Sequence, residues 1–392
     1  MPSLKIPVLG LAAVLMALVL TAGCAYQASD SNYQDIGVIK TDTEGATLWD
    51  RTIDSGYTDA LFRMTHLSDV VSATDGRVFV GYNLVYRPRS DPSMHMVWIT
   101  CFGPDGEGIW NWSVDLDLPN DIAPAPDGGC VVVADTSKNA AVKIGPDGRT
   151  RWTVCASTLS FEPTAVASTA AGRYIVGREN ALAWLDENGT VIDVKKYTEG
   201  QNPAGYVNTI VPMTDGGCAV VYDSSENPGV IRLNAGGEIL WNTSGLTSTA
   251  ENIDGYREIL DVREIEEGGL GLLVVEGESG RDTGQIRDIV YGPDGAVLGE
   301  KTFAIPSGGL ITRAPGGGYV IAAVEDSKGN PGVEIPAGES PSYVHLIKLN
   351  AAGHQEWDRT VGSRPGRYHV VSIGPAGADG YVVIVGEIAP SS

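Results

Sequence analysis

A short cassette recurs along the chain and restricts the folds open to it. In one copy the apolar run Val230–Leu233 enters the turn Asn234-Ala-Gly-Gly237, and a second run leaves with Trp241 four residues after Gly237. The pattern returns as Lys40 to Trp49, Gly103-Pro-Asp-Gly106 to Trp110, Gly145-Pro-Asp-Gly148 to Trp152, and Leu349-Asn-Ala-Ala-Gly353 to Trp357. Fixed self-similarity of this kind belongs to repeat architectures, whose units bury their apolar faces only against one another. The turn glycines of this series are Gly45, Gly106, Gly148, Gly189, Gly237, Gly295 and Gly353. A second series precedes Val/Ile/Tyr-rich runs, at Gly76, Asp127-Gly-Gly129, Gly172, Asp215-Gly-Gly217, Glu267-Gly-Gly269, Gly316-Gly-Gly318 and Gly380. The two series alternate, so each repeat reads as four strands. In the fourth these are Asn208–Met213 (A), Cys218–Tyr222 (B), Gly229–Leu233 (C) and Glu238–Asn242 (D). Alternation and β-branched residues support strands throughout, and no segment combines a helical period with caps.

The ends complete the count. Ile36–Lys40 and Thr47–Trp49 read as strands C and D with no A or B before them. Val370–Ile373 and Tyr381–Val385 read as A and B with no C or D after them. Pairing the two halves removes free edges. The expected fold is therefore all-β, a seven-bladed β-propeller closed by N-terminal strands C and D on C-terminal strands A and B. Trp49, Trp110, Trp152, Trp241 and Trp357 are assigned to blade packing. Asp193 and Gly299 stand where two repeats lack that tryptophan, which predicts looser packing there, although the third repeat carries Trp184 in strand C.

Residues 1–23 read as a signal peptide, 24–35 as a lipidated tether and 36–392 as one propeller domain. Lys5 precedes the apolar run Ile6–Leu20, and small residues lead to a cysteine in Leu20-Thr-Ala-Gly-Cys24. This resembles the lipobox of prokaryotic lipoproteins, with Thr21 at a position where an aliphatic residue is usual. The resemblance implies export by the general secretory route and a lipid on Cys24, anchoring the chain to the membrane on its extracytoplasmic side. Cys130 and Cys218 each precede a Val-rich strand and read as buried thiols; the states of Cys101 and Cys155 are left open.

The formal net charge of −22 disfavours nucleic acid as a partner. The cassettes Lys143-Ile-Gly-Pro-Asp-Gly148…Trp152 and Lys348-Leu-Asn-Ala-Ala-Gly353…Trp357 resemble the tryptophan-docking (PQQ-like) repeats of quinoprotein-like β-propellers. That family holds quinone- and calcium-dependent dehydrogenases and also lipoprotein scaffolds, such as the assembly-factor propeller of the bacterial outer-membrane machinery. The vicinal cysteines of the enzymes have no counterpart here. None of the five histidines lies in a Gly-x-Ser-x-Gly or His-Glu-x-x-His setting. The resulting expectation is a non-catalytic binding or scaffold module without a cofactor, engaging a protein or a surface polymer. The alternatives are a central-channel enzyme, of quinoprotein type or a glycan-acting hydrolase, and a surface-layer or adhesion component.

The candidate sites lie in the B–C and D–A connections, which share one face of a propeller. Tyr82, Tyr86, Arg87 and Arg89 form an aromatic-basic group suited to an interface. Asp115, Asp117 and Asp121 are assigned to an acidic D–A loop. Asp135, Asn139, Asp223, Asn227, Asp326 and Asn330 recur in B–C connections, either as hairpin turns or as weak Ca²⁺ ligands. Asn111, Asn188 and Asn242 head glycosylation sequons.

Overall fold

A computed structural model describes residues 33–54, 62–86, 94–115, 119–134, 136, 138–197, 206–223, 229–243, 255–265, 268–278, 284–305, 309–325, 342–366, 368–377 and 380–388. The chain is a seven-bladed β-propeller. It opens with β1 (Tyr33–Asp42) and β2 (Thr47–Asp54). Blade 1 is β3 (Phe62–Ser72), β4 (Val78–Tyr86), β5 (Met94–Phe102) and β6 (Gly108–Asp115). Blade 2 is β7 (Pro119–Pro124), β8 (Cys130–Ala134), β9 (Ala141–Ile144) and β10 (Thr150–Val154). A one-turn helix, α1 (Ala156–Leu159), leads to blade 3: β11 (Ala165–Ser168), β12 (Tyr174–Arg178), β13 (Ala181–Leu185) and β14 (Val191–Lys196). Blade 4 is β15 (Tyr206–Pro212), β16 (Cys218–Asp223), β17 (Gly229–Leu233) and β18 (Ile239–Thr243). Blade 5 is β19 (Gly255–Glu264), β20 (Leu270–Glu278), β21 (Gly284–Tyr291) and β22 (Val297–Ile305). Blade 6 is β23 (Leu310–Arg313), β24 (Tyr319–Glu325), β25 (Ser342–Leu349) and β26 (Gln355–Gly366), and the chain closes with β27 (Tyr368–Pro375) and β28 (Gly380–Ile388).

The closing blade takes A and B from β27 and β28, and C and D from β1 and β2. β1 pairs antiparallel with β28 from Tyr33↔Ile388 to Asp42↔Gly380. The first strand thus begins at Tyr33, inside the stretch read from sequence as tether.

Both faces of the B strands are buried, which is why they read as continuous apolar runs, whereas the D strands are partly exposed. In β8, Val132 packs with Phe79 and Ile99 of blade 1, while Val131 and Val133 pack with Tyr174 and Val176 of blade 3. The core is accordingly a set of seams between blades.

Each C–D hairpin is a four-residue turn ended by a glycine in the left-handed region, followed by a one-residue register shift. In the closing blade Gly45 has φ +78°, its N–H donates to Asp42 O at 3.2 Å, and the shift falls between Lys40 and Thr41. This is a three-residue loop with a glycine bulge. Where Asp or Asn opens the turn, its carboxyl or carboxamide oxygen accepts two backbone N–H groups, as Asn350 does from Ala352 and His354. Where glycine opens it, proline follows, and in two of these turns the third-position aspartate accepts instead, Asp147 from Arg149 N and Asp294 from Ala296 N.

The tryptophan in the D strand docks on the next blade's turn. Trp49 Nε1 donates to Pro104 O at 2.9 Å, Trp110 to Pro146 O at 3.0 Å, Trp152 to Glu187 O at 2.9 Å, and Trp241 to Pro293 O at 2.9 Å. A Cβ on Gly106 would lie 2.7 Å from Trp49 Cδ2, so that glycine answers to contact as well as to φ. The looser packing expected at Asp193 and Gly299 is not what the seams show. There the aromatic has moved four residues on, to Tyr197 and Phe303, on the same strand face. Tyr197 OH donates to Gly237 O at 3.0 Å, with the Trp184 ring over the same glycine. Phe303 lies against Gly353 and meets the Tyr319 ring at a tilt, centroids 4.7 Å apart, while Lys301 Nζ donates to Ala351 O at 2.9 Å.

A buried cation near the end of strand C ties the two turns of some blades together. Lys143 Nζ donates to Asp127 Oδ1 at 2.7 Å and to Ile144 O at 3.0 Å. Arg232 Nη2 meets Asp215 Oδ2 at 2.5 Å. Burial pushes the Asp215 carboxyl up, and the Arg232 guanidinium with the Gly217 N–H pulls it below the ordinary carboxylate range. A Cβ on Gly129 would run into Ile144 O and Lys143 Nζ, and one on Gly217 into Leu233 O and Arg232. The second glycine of Asp-Gly-Gly is therefore the space this cation needs.

Candidate functional site: the loop face and a cleft on blade 3

The A–B and C–D turns share one face of the ring, and the B–C and D–A connections share the other. The turn face is uniform. Gly76, Gly106, Gly128, Gly148, Gly172, Gly189, Gly216, Gly237 and Gly295 all donate to the residue three places earlier, at 2.9–3.1 Å. The loop face is irregular: the B–C connection is residues 179–180 in blade 3 and 326–341 in blade 6. A rigid scaffold with one variable face concentrates recognition on that face.

On the described part of the loop face a cleft of about 550 Å³ opens at blade 3. Its walls come from the D–A connection through α1 (Ser157, Phe161), the end of β12 with the B–C turn (Arg178, Glu179) and the end of β14 (Lys196). Cys155 caps α1 without a side-chain hydrogen bond, and the helix stops after one turn at Ser160, in the left-handed region at φ 69°. Glu179 is the other described non-glycine residue at positive φ, 49°. Ser160 takes the left-handed conformation usual for a helix C-cap and Glu179 that of a two-residue hairpin turn, and both sit on the rim of the cleft. Arg178 Nη1 donates to Glu162 O at 3.1 Å and lies 3.5 Å from the Glu162 carboxylate, which fixes one wall. Tyr197 N donates to Asn180 O at 2.8 Å and fixes the other. A half-buried phenyl ring among guanidinium, ammonium, carboxylate and hydroxyl groups suits a polar ligand with an apolar face, or a side chain of a partner protein.

The residues singled out from sequence fall in different places. Tyr82 is in β4, 6% exposed, with its hydroxyl 3.4 Å from Thr100 Oγ1, so it belongs to the core and not to an insertion loop. Tyr86 ends β4 and its side chain, with Arg87 and Arg89, lies outside the described residues. Asp115 ends β6, its side chain not described, and Asp117 is likewise outside. Asp121 is a correction: it stands in β7 and is 7% exposed, not in an acidic loop. A bulge between Pro119 and Asp121 turns its carboxylate sideways, where Oδ1 accepts Ile122 N and Oδ2 accepts Val166 N of blade 3, both at 2.7 Å. Burial pushes this carboxyl up to about 7, against those two donors. Asp261 makes the same kind of tie from blade 5 to blade 6, accepting Arg313 N at 2.9 Å and Arg263 Nη2 at 2.6 Å.

Of the recurring B–C residues, Asn139 is described. Its N–H donates to Thr136 Oγ1 at 3.2 Å, a turn contact. The side chain of Asp223 and all of Asp135, Asn227, Asp326 and Asn330 lie outside the described residues. Among the described residues no three acidic, histidine or cysteine side chains gather as a metal site. Asn111 and Asn188 are exposed, and Asn242 is exposed with its side chain accepting from Tyr222 OH at 3.1 Å. Cys130 and Cys218 are buried free thiols, as the sequence indicates; Cys101 is buried too, and Cys155 is exposed. Sequence reasoning missed the blade 3 cleft. Its one signal was a D–A connection, 155–164, with no glycine turn motif.

No protein-family model matches the chain, and no curated protein matches it in sequence. Solved structures similar to it include the Dos1 propeller (10% identity, 94% of this chain and 95% of that one, TM-score 0.49). Others are a protein from Lactobacillus plantarum (9%, 85% and 98%, 0.48) and a gluconolactonase from Xanthomonas campestris (13%, 67% and 84%, 0.38). At these identities and scores none of the likenesses bears on what the chain does.

Proposed function

We propose that the chain is an exported lipoprotein, anchored through Cys24, whose propeller works as a non-catalytic binding or scaffold module of the quinoprotein-like repeat type. The contrast between the two faces carries this reading. The turn face spends its tryptophans, cations and aspartates on closing the ring. The loop face varies in length from blade to blade and holds the blade 3 cleft. The partner engages that face and is a protein or a surface polymer. The buried carboxylate of Asp121 supports a structural role for that residue, because both its oxygens accept backbone N–H groups.

The test is retention of a partner from envelope extract by the full-length chain in detergent, with and without Ca²⁺. Arg178→Glu with Lys196→Glu should abolish retention, and Arg149→Glu with Arg173→Glu on the turn face should leave it intact. Loss through the turn-face pair alone would reverse the assignment of the face. Turnover of a small substrate with no retained partner would replace the module by an enzyme.

A further inference from the structure

The anchor and the fold together set which way the propeller faces. β1 runs from Tyr33 to the C–D turn at Asp42–Gly45, so Tyr33 sits at the loop-face end of its strand, paired with Ile388. Between Cys24 and Tyr33 there are eight residues, Ala25 to Asn32. Such a segment spans at most ~30 Å when fully extended, and a flexible one averages nearer ~17 Å end to end. The blade is itself deep: the ten residues of β1 rise ~30 Å along the strand. Turning the turn face to the membrane would require the segment to run the whole depth of the domain with no slack.

We propose that the loop face, with the blade 3 cleft, is the membrane-facing side of the anchored protein, and that its partner is a protein standing in the same membrane. The proposal rests on the lipoprotein reading and adds orientation to it. A lipid surface is a poor ligand for a chain of net charge −22 where the lipids are anionic, which leaves membrane proteins as the neighbours within reach. Cys155 reports on the geometry, being the exposed cysteine among the four described and lying at the loop-face end of β10.

The experiment uses the lipidated full-length chain in vesicles containing a headgroup nitroxide quencher, with a fluorophore on Cys155. The comparison carries the fluorophore on the turn face, through Arg149→Cys in a Cys155→Ser background. Quenching at Cys155 should be at least twofold stronger than at position 149, and insertion of a long Gly/Ser segment after Asn32 should erase the difference. Equal or reversed quenching by a vesicle-bound chain overturns the orientation. Failure to bind vesicles, with no acyl mass on Cys24, overturns the lipoprotein reading instead. In cells, a short thiol-to-amine crosslinker at Cys155 should yield an adduct whose peptides identify a membrane-spanning protein. An adduct with a protein lacking such spans, or no adduct above that from position 149, overturns the partner.

Discussion

Removing the half-exposed carboxylate of Asp127 should destabilise the fold more than removing the buried ammonium it pairs with. Lys143 is 3% exposed in its side chain and Asp127 50%. In Asp127→Ala the ammonium keeps the Ile144 carbonyl and loses its counter-charge, and Gly129 N loses its acceptor at 3.0 Å. Stripping one partner from a buried pair costs ~3–5 kcal/mol. Water reaching the vacated, half-exposed position reduces that here to ~2–3 kcal/mol. In Lys143→Met the desolvation of the cation disappears, the volume is nearly kept, and Asp127 remains hydrated and still holds Gly129 N. The net change should lie within ~1 kcal/mol of zero. The double variant should then be more stable than Asp127→Ala alone. Guanidinium unfolding of the three variants measures this, provided the slope is unchanged. If Lys143→Met is as damaging as Asp127→Ala, or if the two costs add, the buried cation is not the liability described.

Other consequences follow from the seams and the thiols. Asp121 has its folded pKa raised from 3.8 to about 7, so the native state holds more protons than the unfolded chain between those values. Its contribution is complete below about 4 and is lost as pH rises through 7. Asp121→Asn should flatten the decline in melting temperature over that window, even though its amide must face one backbone donor; an unchanged slope contradicts the assignment. Phe303→Ala should cost ~2–3 kcal/mol, similar to Trp241→Ala, because both fill a blade seam and both are partly exposed. A neutral Phe303→Ala in a chemical-denaturation series would mean that this seam needs no aromatic. Burial pushes the Cys101 and Cys218 thiols up to about 12, and Cys130 higher still. Counted in the native state, one of these four cysteines, Cys155, should react with a maleimide, and the other three only after unfolding.

The ring and its closure were legible because they are written in backbone requirements. A left-handed residue every blade demands glycine, so Gly45 through Gly353 mark the C–D turns in the bare sequence, and the half-repeats at the ends show how the circle is joined. The seams were half legible. Tryptophan four residues past the glycine is a visible spacing, but Tyr197 and Phe303, eight past Gly189 and Gly295, keep the same strand face and escape a search fixed on one spacing. Lys143 and Arg232 looked like ordinary strand residues, since burial of a cation depends on a partner turn that pairing alone brings near. Asp121 was misplaced for a related reason: a bulge before it moves the strand start and turns a loop-like acid into a tie between blades. The cleft was illegible, because its walls come from two connections and two strand ends whose meeting is set by the blade geometry.

The measurement that bears most directly on the loop face as the binding surface is hydrogen–deuterium exchange of the full-length chain, alone and with its retained partner. Protection should appear in residues 155–164 and 178–181, with the turns at 103–106 and 145–148 exchanging as before. Protection of those turns with none around the blade 3 cleft would contradict the account.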